Sequence, residues 1–513
     1  MKRTHSHNQG DRFVQRPYLQ AVIVTFAFIL TACGSAMVDT SIQAAPKPTA
    51  TTHITPTPTP TPLTPTPSPT PQVAIESGDW PAYLMDDEKD GFSQDETTIN
   101  SITASSLNLF WTYHAKGGIS TQPVVVNKTI YWGSWDGLEH ATDLSGKEIW
   151  ATNLGKSTNI ECDPSTVGVA STATIAPMAI GGTKTLVDFV GGGDGNFYAL
   201  NAFNGKVVWK TFLGTPPDHF IWSSPALYNG SIYIGMSSFG DCPAIQGQLV
   251  QLDMVSGNIQ NVFNVVPNGC AGGSIWSSPT IDSEAGEIFV TTGNASACST
   301  TEIYAVAVIE LHASNLEVAG SWQVPANQQD IDSDFGSTPT LFTATIKGVQ
   351  RPMVGAINKN GIYYAFQRGA ISNGPLWSQQ ISSADGNNAP SAWDGKTLYV
   401  AGGNTTIHGH FCEGSLRALN PGNGAFIWEQ CFGDGRIFAA VTVAPGIVAV
   451  GARRFFRVID SSSGKQLFAF EDTNKDTYFY GAATIAHGVI YVGNNDGNLY
   501  AFGLFAKLKQ RTQ

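Results

Sequence analysis

From about residue 108 the chain alternates short apolar runs with turn signals, and the alternation repeats. Each unit reads as a strand opening near Ser/Thr-Pro, an apolar strand, an Asp-Gly or Asn-Gly turn, and a third strand ending in a triplet like Ala-Leu-Asn. A glycine follows, and often a tryptophan. The turn is plainest at Asp136-Gly137, Asp194-Gly195, Asn360-Gly361 and Asp496-Gly497. Such pairs favour two-residue hairpins, because both central residues need positive φ. The element after the turn recurs as Ala141-Thr-Asp143-Leu-Ser-Gly146-Lys-Glu-Ile-Trp150, Ala199-Leu-Asn201…Gly205…Trp209 and Ala418-Leu-Asn420…Gly424…Trp428. Its polar marker falls at 143, 201, 253, 312, 367, 420 and 460, with a weaker eighth match at Gly503. Intervals of about 40 to 59 residues correspond to one four-stranded propeller blade each. The spacing therefore predicts an all-β, eight-bladed β-propeller. The last unit stops without its Gly-x-x-x-Trp strand. Asn108-Leu-Phe-Trp111-Thr-Tyr-His114 has that missing pattern, so an N-terminal strand is expected to close the ring and remove its exposed edges. Trp150, Trp209, Trp377 and Trp428 are expected to pack between blades.

Composition agrees with this pattern. The 513 residues include 54 glycines, with aromatics at 11% and charged residues at 13%, a mix that suits turns and aromatic strands. A formal net charge of −12 argues against binding nucleic acid through a broad positive field.

The N-terminus has its own logic. Lys2, Arg3, Arg12 and Arg16 precede an uncharged stretch, Pro17 to Ala32, with an apolar centre too short to span a bilayer comfortably. It ends Leu30-Thr31-Ala32-Cys33-Gly34 and resembles a bacterial lipobox, which implies residues 1–32 as a lipoprotein signal peptide and a lipid anchor on Cys33. The Thr-Pro repeats of 46–71 cannot build a core. At about 3 Å per residue they read as a semi-rigid tether roughly 80 Å long. The expected organisation is signal peptide 1–32, anchor and linker 33–75, propeller 76–505 and tail 506–513, held on the outer side of a membrane. Setting Cys33 aside leaves six cysteines in an oxidising compartment, which allow 15 pairings. The repeat frame favours Cys162 with Cys242, Cys270 with Cys298, and Cys412 with Cys431, because each pair joins neighbouring loops. No Cys-x-x-Cys-His occurs, which excludes covalent haem within this sequence.

The Ala-x-Asp-x-x-x-Gly-x-x-x-Trp element resembles the tryptophan-docking repeat of quinoprotein dehydrogenases, over roughly residues 78–504. The polyvinyl-alcohol dehydrogenase-like branch is similar across blades 3 to 5, through Gly273-Ser-Ile-Trp276-Ser-Ser-Pro, Thr292-Gly293-Asn294, Asp332-Ser-Asp334-Phe335-Gly336 and Asn358-Lys359-Asn360-Gly361. The resemblance implies a pyrroloquinoline quinone (PQQ) cofactor with calcium, an alcohol substrate and an external electron acceptor. It implies Trp276 as the stacking surface for the quinone and Lys359 as a donor to its oxygens. Asp334 would be the base that takes the hydroxyl proton. Calcium would be held by Asp241, Asn294 and Asp334, since oxygen donors suit that hard cation. In the repeat frame Asp334 replaces Phe220 and Ser274, and Lys359 replaces Trp135, Gly193 and Asn495. Trp222 occupies the place of Trp276 one blade earlier. The family's adjacent cysteine pair is absent, with Cys242-Pro243 in its place. A non-catalytic propeller scaffold, like the outer-membrane assembly lipoprotein that shares the repeat, is the alternative expectation. His408-Gly-His410 lacks a third ligand and reads as a loop, and Arg453-Arg454-Phe-Phe-Arg457 reads as exposed strand arginines of blade 7.

Overall fold

The computed structural model describes residues 73–505, apart from 297, 299–301, 331 and 384–385. The segment read as signal peptide, Cys33 anchor and Thr/Pro tether lies outside the described residues up to residue 72, as does the tail. Eight four-stranded antiparallel sheets follow one another: residues 124–153, 174–212, 226–264, 280–323, 340–380, 392–432, 442–471 and 484–503. These are blades 1 to 8. The eighth takes its outer strand from Asn108–His114, which pairs antiparallel with Asn498–Gly503. The ring is closed by the N-terminal strand, as the truncated last repeat predicts.

The repeat marker explains how blades join. In blades 1, 2, 5, 6 and 8 an outer-strand indole donates its N–H to a carbonyl of the next blade, one residue past that blade's marker. The pairs are Trp111 to Leu144 at 3.0 Å, Trp150 to Ala202 at 2.9 Å, Trp209 to Met254 at 3.3 Å, Trp377 to Pro421 at 2.8 Å and Trp428 to Ser461 at 2.8 Å. The ring lies flat on the repeat glycine. A Cβ at Gly146, Gly205, Gly257, Gly424 or Gly464 would come within 2.5 to 2.9 Å of the docked indole, and all five have φ between +67° and +83°. A side chain there would meet both a steric clash and left-handed backbone strain.

The stretch from Trp80 to Glu96 is a strap across the inner strands. It bonds to a backbone N–H in every blade: Val125, Ile175, Leu227, Ile281, Leu341, Trp393, Val443 and Gly488. Trp80, Leu84 and Lys89 on it are fully buried. Arg457 differs from its expected exposure: it is 7% exposed, ion-paired with Asp434, and lies over Phe432 and Phe455. Its long side chain folds down onto two rings and carries the charge to a carboxylate. The three expected disulfides form, with Cα separations of 6.0 Å for Cys162–Cys242, 5.1 Å for Cys270–Cys298 and 5.3 Å for Cys412–Cys431.

Blades 1 and 2 share an unusual interior. Glu139 pairs with Gly133 where the same register position in blade 2 is Phe197, and Asp188 pairs with Leu200 where blade 1 has Ile130. Both carboxyls are fully buried and none of their oxygens has a hydrogen-bond partner. Burial pushes Asp188 up to about 8, and burial with the neighbouring Asp188 pushes Glu139 well above the usual carboxylate range.

Two outcomes follow from this architecture. Removing residues 34–75 is expected to leave the melting temperature unchanged. Extending the deletion through residue 115 removes strap and closing strand and should lower it strongly; equal melting temperatures would mean the strand is dispensable. The fold also retains protons on Asp188 and Glu139 that the unfolded chain releases near pH 4, so stability should fall as pH rises from about 4 towards 8. Asp188→Asn should flatten that part of a melting-temperature-against-pH curve, and an unchanged curve would show that Asp188 is ionised in the fold.

Candidate active site

Connections between strands at one end of the ring supply every residue singled out above. Asp241 lies between the second and third strands of blade 3, Ser231–Ser238 and Gln248–Asp253. Trp276 enters blade 4, and Asn294 leaves its second strand, Glu287–Thr291. Asp332 and Asp334 lie on the crossover into blade 5, and Lys359 follows that blade's second strand, Val349–Ile357. All six line one cavity of about 530 Å³, with Asp163, Pro164, Trp222 and Ser237 among its other walls.

Local bonds set these side chains. Phe335 is fully buried in the blade 4–5 core and its N–H donates to Thr292 at 3.1 Å, which turns the preceding Asp334 towards the cavity. The Asn358 amide donates to Ser333 O at 2.6 Å, and Lys359 N–H to Asp334 O at 3.2 Å. Gly336 carries no side chain because a Cβ there would stand 2.1 Å from Trp276 Cη2. Trp276 is thereby pressed against the crossover that bears the carboxylates.

Three of the expected residues form one unit. Trp276 Nε1 donates to Asp334 Oδ2 at 2.9 Å. Lys359 Nζ lies 2.6 Å from Asp334 Oδ1 and 3.0 Å from Asp332 Oδ1, and 5.3 Å from the Trp276 ring centroid. Asn294 donates to Asp332 Oδ1 at 2.8 Å. Trp222 is different: its N–H goes to the Phe239 carbonyl at 3.1 Å and its ring packs on Phe220 and Phe239. Asp241 is exposed on the cavity wall, where Ser238 donates to its carboxylate.

Electrostatics separate the carboxylates. Asp334 is 4% exposed, and burial pushes its pKa up to about 6 although the Lys359 charge draws it down. Burial acts the same way on Asp332, but the Lys359 charge and hydrogen bond prevail and hold it below the usual range. Burial would lower Lys359; its two carboxylate partners overcome this and raise it. A buried carboxyl poised near 6 beside a permanent cation can accept a proton near neutral pH.

The donor set tests the implied groups. Carboxylates of Asp241, Asp332 and Asp334 and the Asn294 amide offer the oxygen chemistry of a calcium site. Among the described residues, however, the one trio of ligand atoms within 4.8 Å involves Cys270, Cys298 and Glu302, and those cysteines are disulfide-bonded. Lys359 instead serves as counter-ion to Asp332 and Asp334. For a flat cofactor, a second cavity of about 430 Å³ shares Asp163, Pro164, Trp222 and Trp276 with the first. Trp135, Phe438, Tyr480 and, from the strap, Tyr83 also line it.

The sequence reading missed Asp332 as the second grip on Lys359, although it stands in the quoted Asp332-Ser-Asp334 block. It also missed Asp163 and Pro164, which line both cavities from a loop stapled to blade 3 by Cys162–Cys242. The roof beside the site is thus held by a disulfide linking residues 80 positions apart. His408 forms the turn of the short hairpin Thr405–Ile407/His410–Cys412, at φ +49°.

Comparison with known proteins bears on the same surfaces. Residues 359–504 match the outer membrane protein assembly factor BamB family. A polyvinylalcohol dehydrogenase of Pseudomonas sp. is 26% identical over 71% of this chain and 63% of its own length. A quinohemoprotein alcohol dehydrogenase of Comamonas testosteroni is 26% identical over 58% of this chain and 46% of its own. The chain therefore spans less than two thirds of both relatives. The crystal structure of the Comamonas enzyme superimposes with a TM-score of 0.67 at 18% identity, over 84% of this chain and 81% of that one. BamB from Moraxella catarrhalis superimposes at 0.51, over 78% and 98%. Residues 80–390, which carry the whole Trp276–Asp334–Lys359 unit, match the glucose/ethanol/alcohol dehydrogenase β-propeller domain, and the chain belongs to that family.

Proposed function

We propose that this protein is a PQQ- and calcium-dependent alcohol dehydrogenase, held by a lipid anchor on the outer side of a membrane. The observation that carries the reading is the Trp276–Asp334–Lys359 unit, which puts a buried carboxyl with a raised pKa, a cation and an indole on one cavity. Asp334 is the base. Deprotonated, it takes the hydroxyl proton of the alcohol, and Lys359 offsets the charge while the site waits for substrate. Lys359 and Trp276 would hold the cofactor, and Asp241, Asn294 and Asp334 the metal. When bound, PQQ with its cation supplies the acceptor for the hydride leaving the carbinol carbon. Reducing equivalents would then pass to an external acceptor. Family membership and two alcohol-dehydrogenase relatives support the reaction class. The order of apolar segment, lipobox-like Cys33 and Thr-Pro tether supports the location.

A scaffold reading has its own support. Residues 359–504 match the BamB family, and Lys359 is the one cation among the described residues lining the two cavities, where PQQ would bring three carboxylates.

Titrating purified protein with PQQ and calcium should change the quinone absorbance, with further change on adding an alcohol. No spectral change at micromolar cofactor would leave the scaffold as the better account. Asp334→Asn should retain cofactor binding and lose reduction, because an amide cannot accept the proton. Trp276→Ala should weaken binding by about 1–3 kcal/mol. Turnover should rise with pH through about 6 as Asp334 ionises; a rate flat from pH 5 to 8 would remove Asp334 from the base role.

A further inference from the structure

Five joints between blades are closed by a docked indole, and three are not. At the joint of blades 7 and 8 the register puts Phe468 at the indole position, and it packs on Phe502 with centroids 5.6 Å apart. At the joint of blades 4 and 5 the position is Gly320. The turn Ile371–Asn373 covers it, and the Ser372 hydroxyl accepts Ser321 N–H at 3.1 Å. At the joint of blades 3 and 4 the position is Asn261, and a cavity of about 670 Å³ opens there.

The walls of this slot are built from polar side chains. Gln251, 4% exposed, stands where the docked blades have Ala141, Ala199 and Ala418. Asn261 donates to Gln251 at 2.8 Å, Gln251 to Ser231 at 3.0 Å, and Ser231 to Gln260 at 2.9 Å. The carbonyl one residue past the marker, which accepts the indole at docked joints, is Ala313 here. It accepts the Tyr233 hydroxyl at 2.7 Å instead. Leu316 replaces the docking glycine and keeps its left-handed backbone at φ +60°. On the facing wall Glu287 binds His312 through Oε1 at 2.7 Å, while Oε2 is buried and has no hydrogen-bond partner. An acceptor so placed carries its desolvation cost uncompensated, and a ligand donor would relieve it.

We propose that this slot binds a neutral polyhydroxylated ring, a pyranose sugar unit. Elsewhere the same space takes a flat ring. Here the rim offers amide and hydroxyl donors and acceptors together, with the Tyr228 ring as apolar surface. The one carboxylate on the slot is already paired with His312, which disfavours a cation and leaves hydroxyls as the fitting donors. Glu287 begins the strand whose Thr291 end leads to Asn294, so the slot lies at the opposite end from Asp334 and a bound sugar does not compete with the cofactor cavity.

Saturation-transfer NMR and calorimetry on the full chain with glucose, galactose and N-acetylglucosamine test this, with a soluble polyvinyl alcohol as a linear polyol. At least one sugar should bind the native protein. The double substitution Asn261→Trp with Leu316→Gly rebuilds a docked indole and should weaken that binding by about tenfold or more without lowering the melting temperature. Glu287→Gln should also weaken it, and decides the matter if the double variant fails to fold. Overturning results are no saturation transfer from any sugar at roughly 10 mM, binding of the polyvinyl alcohol alone, or sugar binding untouched by Glu287→Gln and by the rebuilt indole.

Discussion

The docked indole is the contact on which the ring depends. Each one ties an outer strand to the next blade through three features at once: an N–H to a backbone carbonyl, a ring face on a glycine, and a left-handed turn that only glycine adopts without strain. Because donor and acceptor sit in different blades, the contact fixes the angle between sheets as well as the distance. Trp111 makes this contact from the closing strand, so sealing the ring and docking the first blade are one event. The strap then reinforces it from inside, with a bond to each blade.

What the sequence made legible follows from how each signal is encoded. The docking element is local, with marker, glycine and tryptophan within about ten residues, so blade number and ring closure could be counted directly. Asp334 stood out because a carboxylate replaced Phe220 and Ser274 in a repeat frame that is otherwise apolar or small at that position. The strap was not legible. Most of its bonds to the blades are made by backbone carbonyls, and its apolar anchors Trp80 and Leu84 are isolated within Asp86-Asp-Glu-Lys-Asp90 and its flanks. Nor could the contact of Lys359 with Trp276 be read, because it joins residues 83 positions apart from two blades. The resemblance supplied the roles of these residues; the structure supplies their mutual distances.

The charge arrangement at the site shows why two aspartates only two residues apart behave differently. Asp332 is half open to solvent and takes Lys359 as a salt-bridge partner, so its proton is lost readily. Asp334 shares the same lysine but is buried beneath Trp276, and desolvation outweighs the attraction. A single lysine can compensate one buried carboxylate, not two at full strength. Placing the second carboxylate nearer water therefore leaves the buried one as the group whose protonation changes near neutral pH. The positions are not interchangeable: moving the acid from 334 to the exposed position would discard the desolvation that raises its affinity for a proton. Burial by Trp276 and Gly336, rather than the identity of the carboxylate, is what raises this aspartate's affinity for a proton.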